Sequence, residues 1–464
     1  MMESKVDTDS QAPTLNKGSQ DHLHDDSNPQ LGRLENGDLE KNNVAEPPSK
    51  QAQNSAPAGQ DPNEFPDGGF QAWFCIAGGF CTVFSSFGWV NCIGVFQDYY
   101  QANQLSSYSP STVAWIPATE SFMLFFFGLF SGKLSDSYGP RWPLLVGSFM
   151  HVFGLMMLSI STEYYQIFLA QCICSGIGTS FLFYPTIAAA GTWFKRHRAL
   201  AFGIMVSGSS MGGVILPIMV QELIGEVGFG WAMRITAFLI LGLLIFGNIA
   251  VKSRLPPKKK PFTFKEYFMP FAEIPFLLLA IGSLFVYIGA FLPFNFIIVQ
   301  AKQAGMSTRL ANYLVPIINA ASVFGRIFPA HLGDVYGVFN VCIIFTLFSG
   351  VISLALWLPA ASNAPIIVFA VLYGFVSGLT LAIIPALVAS ISDIQKLGFR
   401  VGALYAFSSF GALFGSPIAG AIVTSQNGGY SGLKIFCGVM LIAGGVFIAF
   451  SRVILVGPGL LVKK

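Results

Sequence analysis

The chain has 464 residues, 53% hydrophobic and only 11% charged, with 45 Phe and 49 Gly. So much apolar surface cannot be hidden in a water-soluble core, which excludes a soluble globular protein and indicates a polytopic membrane protein. The net charge of +3 conceals a split: residues 1–69 hold 13 acidic and 5 basic side chains, leaving 21 basic against 10 acidic for the remainder.

Residues 1–69 are rich in Asp, Asn, Gln, Ser and Pro and lack the apolar core of a signal peptide, so they are expected to form a disordered acidic cytoplasmic tail. Twelve apolar runs follow: Phe70 to Phe96, Thr112 to Phe130, Trp142 to Ile160, Tyr165 to Ala190, Ala199 to Leu223 and Trp231 to Val251, then Phe276 to Val299, Thr308 to Pro329, Val338 to Leu358, Pro365 to Ser390, Val401 to Thr424 and Gly432 to Val456. Each is long enough to cross a hydrocarbon layer of about 30 Å as a helix, the form that satisfies its own backbone in lipid. The expected fold is therefore all-α, with twelve transmembrane helices in two pseudo-symmetric six-helix bundles, 70–251 and 276–464. A basic cytoplasmic linker, 252–275, containing Pro256-Pro257-Lys258-Lys259-Lys260-Pro261, divides them.

With the tail inside, the inner connections and C-terminus carry 16 Lys or Arg, and the outer side only Arg234, Lys302, Arg309 and Lys434. This bias places both termini in the cytoplasm. The seven cysteines fall in or beside apolar runs without a C-x-x-C pair, so neither a disulfide framework nor a metal site is expected.

Between the second and third runs lies Gly132-Lys133-Leu134-Ser135-Asp136-Ser137-Tyr138-Gly139-Pro140-Arg141, read as a short charged turn. Its L-x-D-x-Y-G core returns 198 residues later as Leu332-Gly333-Asp334-Val335-Tyr336-Gly337. Gly178 and Pro185 are likewise matched by Gly378 and Pro385, and Arg198 by Arg400, so the architecture is duplicated. Paired Gly and Pro in corresponding helices mark the faces where the halves meet.

Through Gly132, Leu134, Asp136, Gly139 and Arg141 the sequence resembles the major facilitator superfamily, whose loop between spans two and three reads G-x-L-a-D-r-x-G-r-k; Ser137 and Pro140 replace basic residues of that pattern. Within it, the chain is similar to the monocarboxylate porter family, especially its fungal members. That likeness rests on Asp67-Gly68-Gly69-Phe70-Gln71-Ala72-Trp73, Gly94-Val95-Phe96-Gln97-Asp98-Tyr99-Tyr100, Trp193-Phe194-Lys195-Arg196-His197-Arg198-Ala199-Leu200-Ala201 and Gly325-Arg326. The resemblance implies a secondary transporter. Animal lactate carriers of this family couple protons through a lysine and an aspartate where Asn91 and Ser322 stand here, so lactate chemistry does not carry over.

Arg326 lies eight residues, about 12 Å, before Asp334, inside the membrane. A charge there is costly unless it faces a cavity or a partner, so Arg326 is the leading candidate to bind an anionic substrate; the competing reading is an arginine bonded to helix carbonyls. Asn91, Tyr184, Tyr287 and Asn295 are further substrate-binding candidates, against helix packing as the alternative for each, and Tyr373 shares that alternative. Glu120, a carboxylate near mid-bilayer, is the candidate for proton coupling, with a neutral hydrogen-bonded glutamate as its rival. A direct bridge from Glu120 to Arg326 is not expected, and His151 is read as a buried, hydrogen-bonded histidine. Asp136, Arg141 and Asp334 are candidate conformational latches, the carboxylates meeting N-terminal ends of neighbouring helices. Gly208, Gly212 and Gly213, with Pro217, are expected to pack the fifth span on the eighth.

No G-x-x-x-x-G-K-[ST] loop or His-rich cluster occurs, so an ATP-driven pump and a membrane enzyme are set aside and no cofactor or metal is expected. The expected activity is alternating-access transport of a small organic acid or secondary metabolite, by export from the cell at the plasma membrane, with protons a candidate second partner. Uptake of a small monocarboxylate or other organic nutrient, a transporter-like sensor, and an internal membrane such as the vacuole are the alternatives. A monomer in the lipid bilayer, without nucleic acid, is the expected functional form.

Overall fold

The computed structural model describes residues 64–257, 259 and 265–459; most of the tail, Lys258, residues 260–264 of the linker and the last five residues lie outside the described residues. Among the described residues, eleven helical runs are long and apolar enough to cross a membrane: α1 Phe70–Val90, α2 Thr112–Tyr138, α3 Arg141–Leu158, α4 Tyr164–Gly191, α5 Arg198–Ala250, α6 Ile274–Gln303, α7 Thr308–Tyr336, α8 Val338–Trp357, α9 Asn363–Ser390, α10 Ile394–Ser425 and α11 Ser431–Val456. One of them counts twice. Helix α5 has 53 residues, about 80 Å of rise, and contains a single non-helical residue, Gly228 (φ 77°, ψ 164°). Residues 198–227 and 229–250 are thus two crossings joined by one glycine elbow, where a loop over 224–230 was expected.

The charged "turn" is also mostly helix. α2 continues through Tyr138, and only Gly139, at φ 84°, and Pro140 form the turn; α7 likewise continues to Tyr336 and stops at Gly337, φ 96°. A left-handed residue ends a helix sharply at little cost only when it is glycine. Both aspartates therefore project from final helical turns, at what is called here the aspartate end of the molecule.

Helix α1 packs against both arms of α5. Midway along the first arm of α5 the approach is backbone to backbone: a Cβ on Gly88 would lie 2.9 Å from the Gly212 Cα. Across the middle of the molecule α5 packs on α7 and α2 on α10, and these two seams join the first and second halves of the chain. The linker contributes a short helix, Lys265–Phe268, and a 3-10 turn, Met269–Ala272, at the aspartate end.

Candidate functional site

The two seams close at the aspartate end through a repeated device. The first amides of any helix lack intrahelical partners and carry partial positive charge, so a carboxylate held against them is favoured. Asp136, at the end of α2, accepts from the backbone N–H groups of Gly398 (3.1 Å) and Phe399 (2.7 Å) in α10. Asp334, at the end of α7, accepts from Ala199 and Leu200 of α5, both at 2.9 Å. Each aspartate thus caps a helix from the opposite half of the chain, and the capped positions are again about one repeat apart. The approach needs small residues: a Cβ on Gly132 would lie 2.0 Å from the Gly398 carbonyl oxygen.

Side chains reinforce the closure. Lys133 pairs with Glu266 of the linker helix. Arg400 donates to both oxygens of Glu273 (2.8 and 2.5 Å), and this hydrogen bonding holds the Glu273 carboxyl below its ordinary range. Arg198 donates to the Phe194 and Ala389 carbonyls, the second across the seam. Arg141 is exposed at the start of α3 and makes no hydrogen bond or ion pair among the described residues, so it stands apart from the aspartate caps.

About 12 Å from Asp334 along α7, Arg326 is 3% exposed. Its Nη1 donates to the Val206 carbonyl (2.7 Å) and to the Ser209 hydroxyl, both on α5. Its Nε–H is buried without a hydrogen-bond partner, and no carboxylate pairs with it among the described residues. The aromatic side chains Tyr287 and Tyr405 lie within electrostatic reach of the guanidinium. Around them rings from both halves of the chain interlock. Phe125 of α2 stacks on Tyr405 of α10 (centroids 5.6 Å, 11°) and meets Tyr287 of α6 edge-on at 5.1 Å; Tyr184 of α4 lies 5.8 Å from Tyr405. Such pairs are worth about 0.5–1.5 kcal/mol each beyond the area they bury. The Tyr184 hydroxyl donates to the Phe125 backbone carbonyl (3.2 Å), tying α4 to the turn of α2 that carries the stacked ring.

Glu120 is elsewhere. It is 1% exposed inside the first half, where Trp89 Nε1–H donates to Oε1 (2.8 Å) and Gln171 Nε2–H to Oε2 (2.7 Å). The Tyr100 hydroxyl donates to Gln171 Oε1 at 2.7 Å, so the amide is oriented from behind. Gln171 sits in a π-helical stretch of α4, Phe168–Ser175, a wider turn common at functional positions. No cation pairs with Glu120 among the described residues, and no contact joins it to Arg326.

The family model for the Major Facilitator Superfamily matches residues 78–363 and 279–458. The chain belongs to the Major Facilitator Superfamily. This superfamily member is 54% identical to "MFS-type transporter 1" of Ophiocordyceps sp. (strain BCC 1869), over 87% of this chain and 90% of the relative. It is 40% identical to "Fujikurins efflux protein" of Gibberella fujikuroi (strain CBS 195.34 / IMI 58289 / NRRL A-6831), over 94% of each. Its fold is similar to that of the E. coli fucose:proton symporter FucP, with TM-score 0.65 at 14% identity, covering 81% of this chain and 98% of that one. It is a transporter, not an enzyme.

The remaining candidates of this superfamily member fall in three places. Asn91 is half-buried and donates to the carbonyls of Phe87 and Ser209 (3.2 Å each), one residue removed in contact from Arg326 through Ser209. Asn295 is exposed on α6 and donates to the Ser416 hydroxyl (2.7 Å), four residues beyond the ring Phe291 that touches Tyr287. Among the glycines the expected partner holds only in part. A Cβ on Gly213 would meet Asn319 of α7 at 2.7 Å, but Gly208 and Gly212 face α1, at the Phe80 carbonyl and Gly88. Gly203, which sequence reading passed over, is the closer contact to α7, against the Arg326 carbonyl at 2.3 Å. Pro217 is buried within α5. Tyr373 donates to the Ala290 carbonyl, and His151 bridges the Ser85 carbonyl and the Ser175 hydroxyl, so both ring nitrogens are occupied.

Proposed function

We propose that this transporter exports an anionic organic metabolite by alternating access, and that Arg326 receives the anionic group. The observation that carries the reading is a buried guanidinium on the seam between the two halves of the chain, bonded to neutral groups only and with Nε–H unspent. A buried cation without a counter-charge is costly, and an anionic cargo supplies the missing charge. Efflux is favoured over uptake by the relative named for fujikurins efflux. In this reading the bundles 70–251 and 276–464 rock about the linker, and the caps of Asp136 and Asp334 act as latches of the state closed at the aspartate end.

The same reading places the chain in the monocarboxylate porter family through the Asp67 to Trp73 and Trp193 to Ala201 stretches, at the plasma membrane, with both termini and the aspartate end cytoplasmic according to the basic-residue bias. Glu120 is assigned the proton. Protonated, it donates to Gln171 Oε1 after an amide flip, and the amide then donates to Tyr100; ionised, it accepts as observed. Vesicles loaded with metabolite extract from the producing cells, with and without the protein, test the direction: net release against a gradient supports export, and accumulation only into the cell-equivalent compartment sinks it.

A further inference from the structure

We infer that the cargo is a planar, conjugated anion, an aromatic carboxylate or an acidic phenol or enol, which enters between Phe125 and Tyr405 while its oxyanion takes the unspent Nε–H of Arg326. The inference deepens the proposed role of Arg326 and rests on it. Phe125–Tyr405 is the near-parallel ring pair, 11° apart, that spans the two halves among the described residues; other near-parallel pairs, such as Tyr99–Phe229 and Phe285–Phe447, lie within one half. Phe125, Tyr287 and Tyr405 are each 1% exposed, so the cluster is filled by its own rings. A ligand enters by exchanging ring–ring contact for ligand–ring contact, and a flat π-system is the shape that does so with the least loss of stacking.

The position of the pair adds a mechanical argument. Phe125 belongs to α2 and Tyr405 to α10, so a flat ligand between them is held by one ring from each moving half. Its affinity then depends on the separation of the halves, the differential binding that coupling transport to conformation requires. Tyr287 meets both rings of the stack edge-on, Phe125 at 85° and Tyr405 at 86°, and so bounds the pair at its side. A saturated acid of equal size has no flat face to offer and would separate the rings without replacing their contact.

The test uses the full chain in lipid nanodiscs and three probes: 2-naphthoate, its saturated analogue decahydro-2-naphthoate and 2-naphthylmethanol, with binding read by calorimetry. The expected result is that 2-naphthoate binds at least tenfold more tightly than either other probe, and that Phe125→Leu removes this margin while Phe125→Tyr keeps it. Thermal melting of each variant separates loss of the fold from loss of the site. Equal affinity for naphthoate and the saturated acid, both lost in Arg326→Gln, overturns the planar-ligand inference and leaves the anion site standing. Naphthylmethanol binding as tightly as naphthoate, with no effect of Arg326→Gln, overturns the anion site itself.

Discussion

Glu120 and Arg326 are both buried in the membrane region, at 1% and 3% exposure, and their surroundings differ in kind. Glu120 is held by partners of its own half: Trp89, Gln171 and, behind them, Tyr100. Arg326 reaches across the seam to Val206 and Ser209 of the other half. A group whose partners all move with it can change protonation in any state of the molecule. One whose partners belong to the opposite half feels the motion directly. Under the proposed function, charge storage belongs to the first and cargo recognition to the second.

The largest effect should come from removing the crossing group. Arg326→Gln forfeits bonds from a charged donor, about 1.5–3 kcal/mol, or roughly 10- to 150-fold in transport at about 1.4 kcal/mol per decade. Vesicle export at matched protein amount checks it, and a loss under threefold would dissolve the contrast with Glu120. Next, Glu120→Gln mimics the protonated carboxyl: its amide N–H meets the Gln171 N–H unless that amide flips, costing up to about 1–3 kcal/mol of stability. It should also flatten the dependence of transport on the proton gradient while leaving cargo binding intact; a variant that keeps a full gradient requirement would return Glu120 to a purely structural role.

Smaller shifts belong to the gate. Asp136→Asn and Asp334→Asn each weaken a charge–helix contact worth up to about 2 kcal/mol when partly buried, so the ratio of the state closed at the aspartate end to the open state should fall by up to about 30-fold. Cysteine accessibility at the seams between α2 and α10 and between α5 and α7 reads this. Unchanged labelling in the double variant argues against latching. The smallest effect is at Glu273, held by Arg400 below its ordinary value of 4.5. Its contribution is complete above that value and disappears as pH falls through the lower folded value. Half-exposed, it is worth at most about 1 kcal/mol. Melting of Glu273→Gln should match the parent at low pH and fall slightly below it at neutral pH.

Much of this molecule was legible before any coordinates. Hydropathy reveals crossings because every buried-in-lipid residue must be apolar, and the 198-residue echo of Asp136 in Asp334 needs only comparison of like with like. The glycine elbow was not legible: residues 224–230 contain Gly225, Glu226, Gly228 and Gly230, a composition that reads as loop, yet helix continues through all but one of them. Nor were the partners of Glu120, since Trp89 and Gln171 are 31 and 51 residues away and nothing local links them. Phe125 and Tyr405 escaped notice for a different reason. Among 45 Phe in an apolar chain, one phenylalanine has no contrast until its neighbours are known.

The elbow at Gly228 has a mechanical result. Because one residue joins the two arms of α5, there is no slack between them, and α1 is gripped from both, by Gly212 midway along the first arm and by Ala250 and Val251, at the end of the second, near Gly78. The three rods form a spring clip, so a tilt imposed on the arm that meets α7 is passed to its twin instead of being absorbed in a connecting loop. A flexible insert after Gly228 would cut that transmission, leaving each rod in place but the stroke shortened.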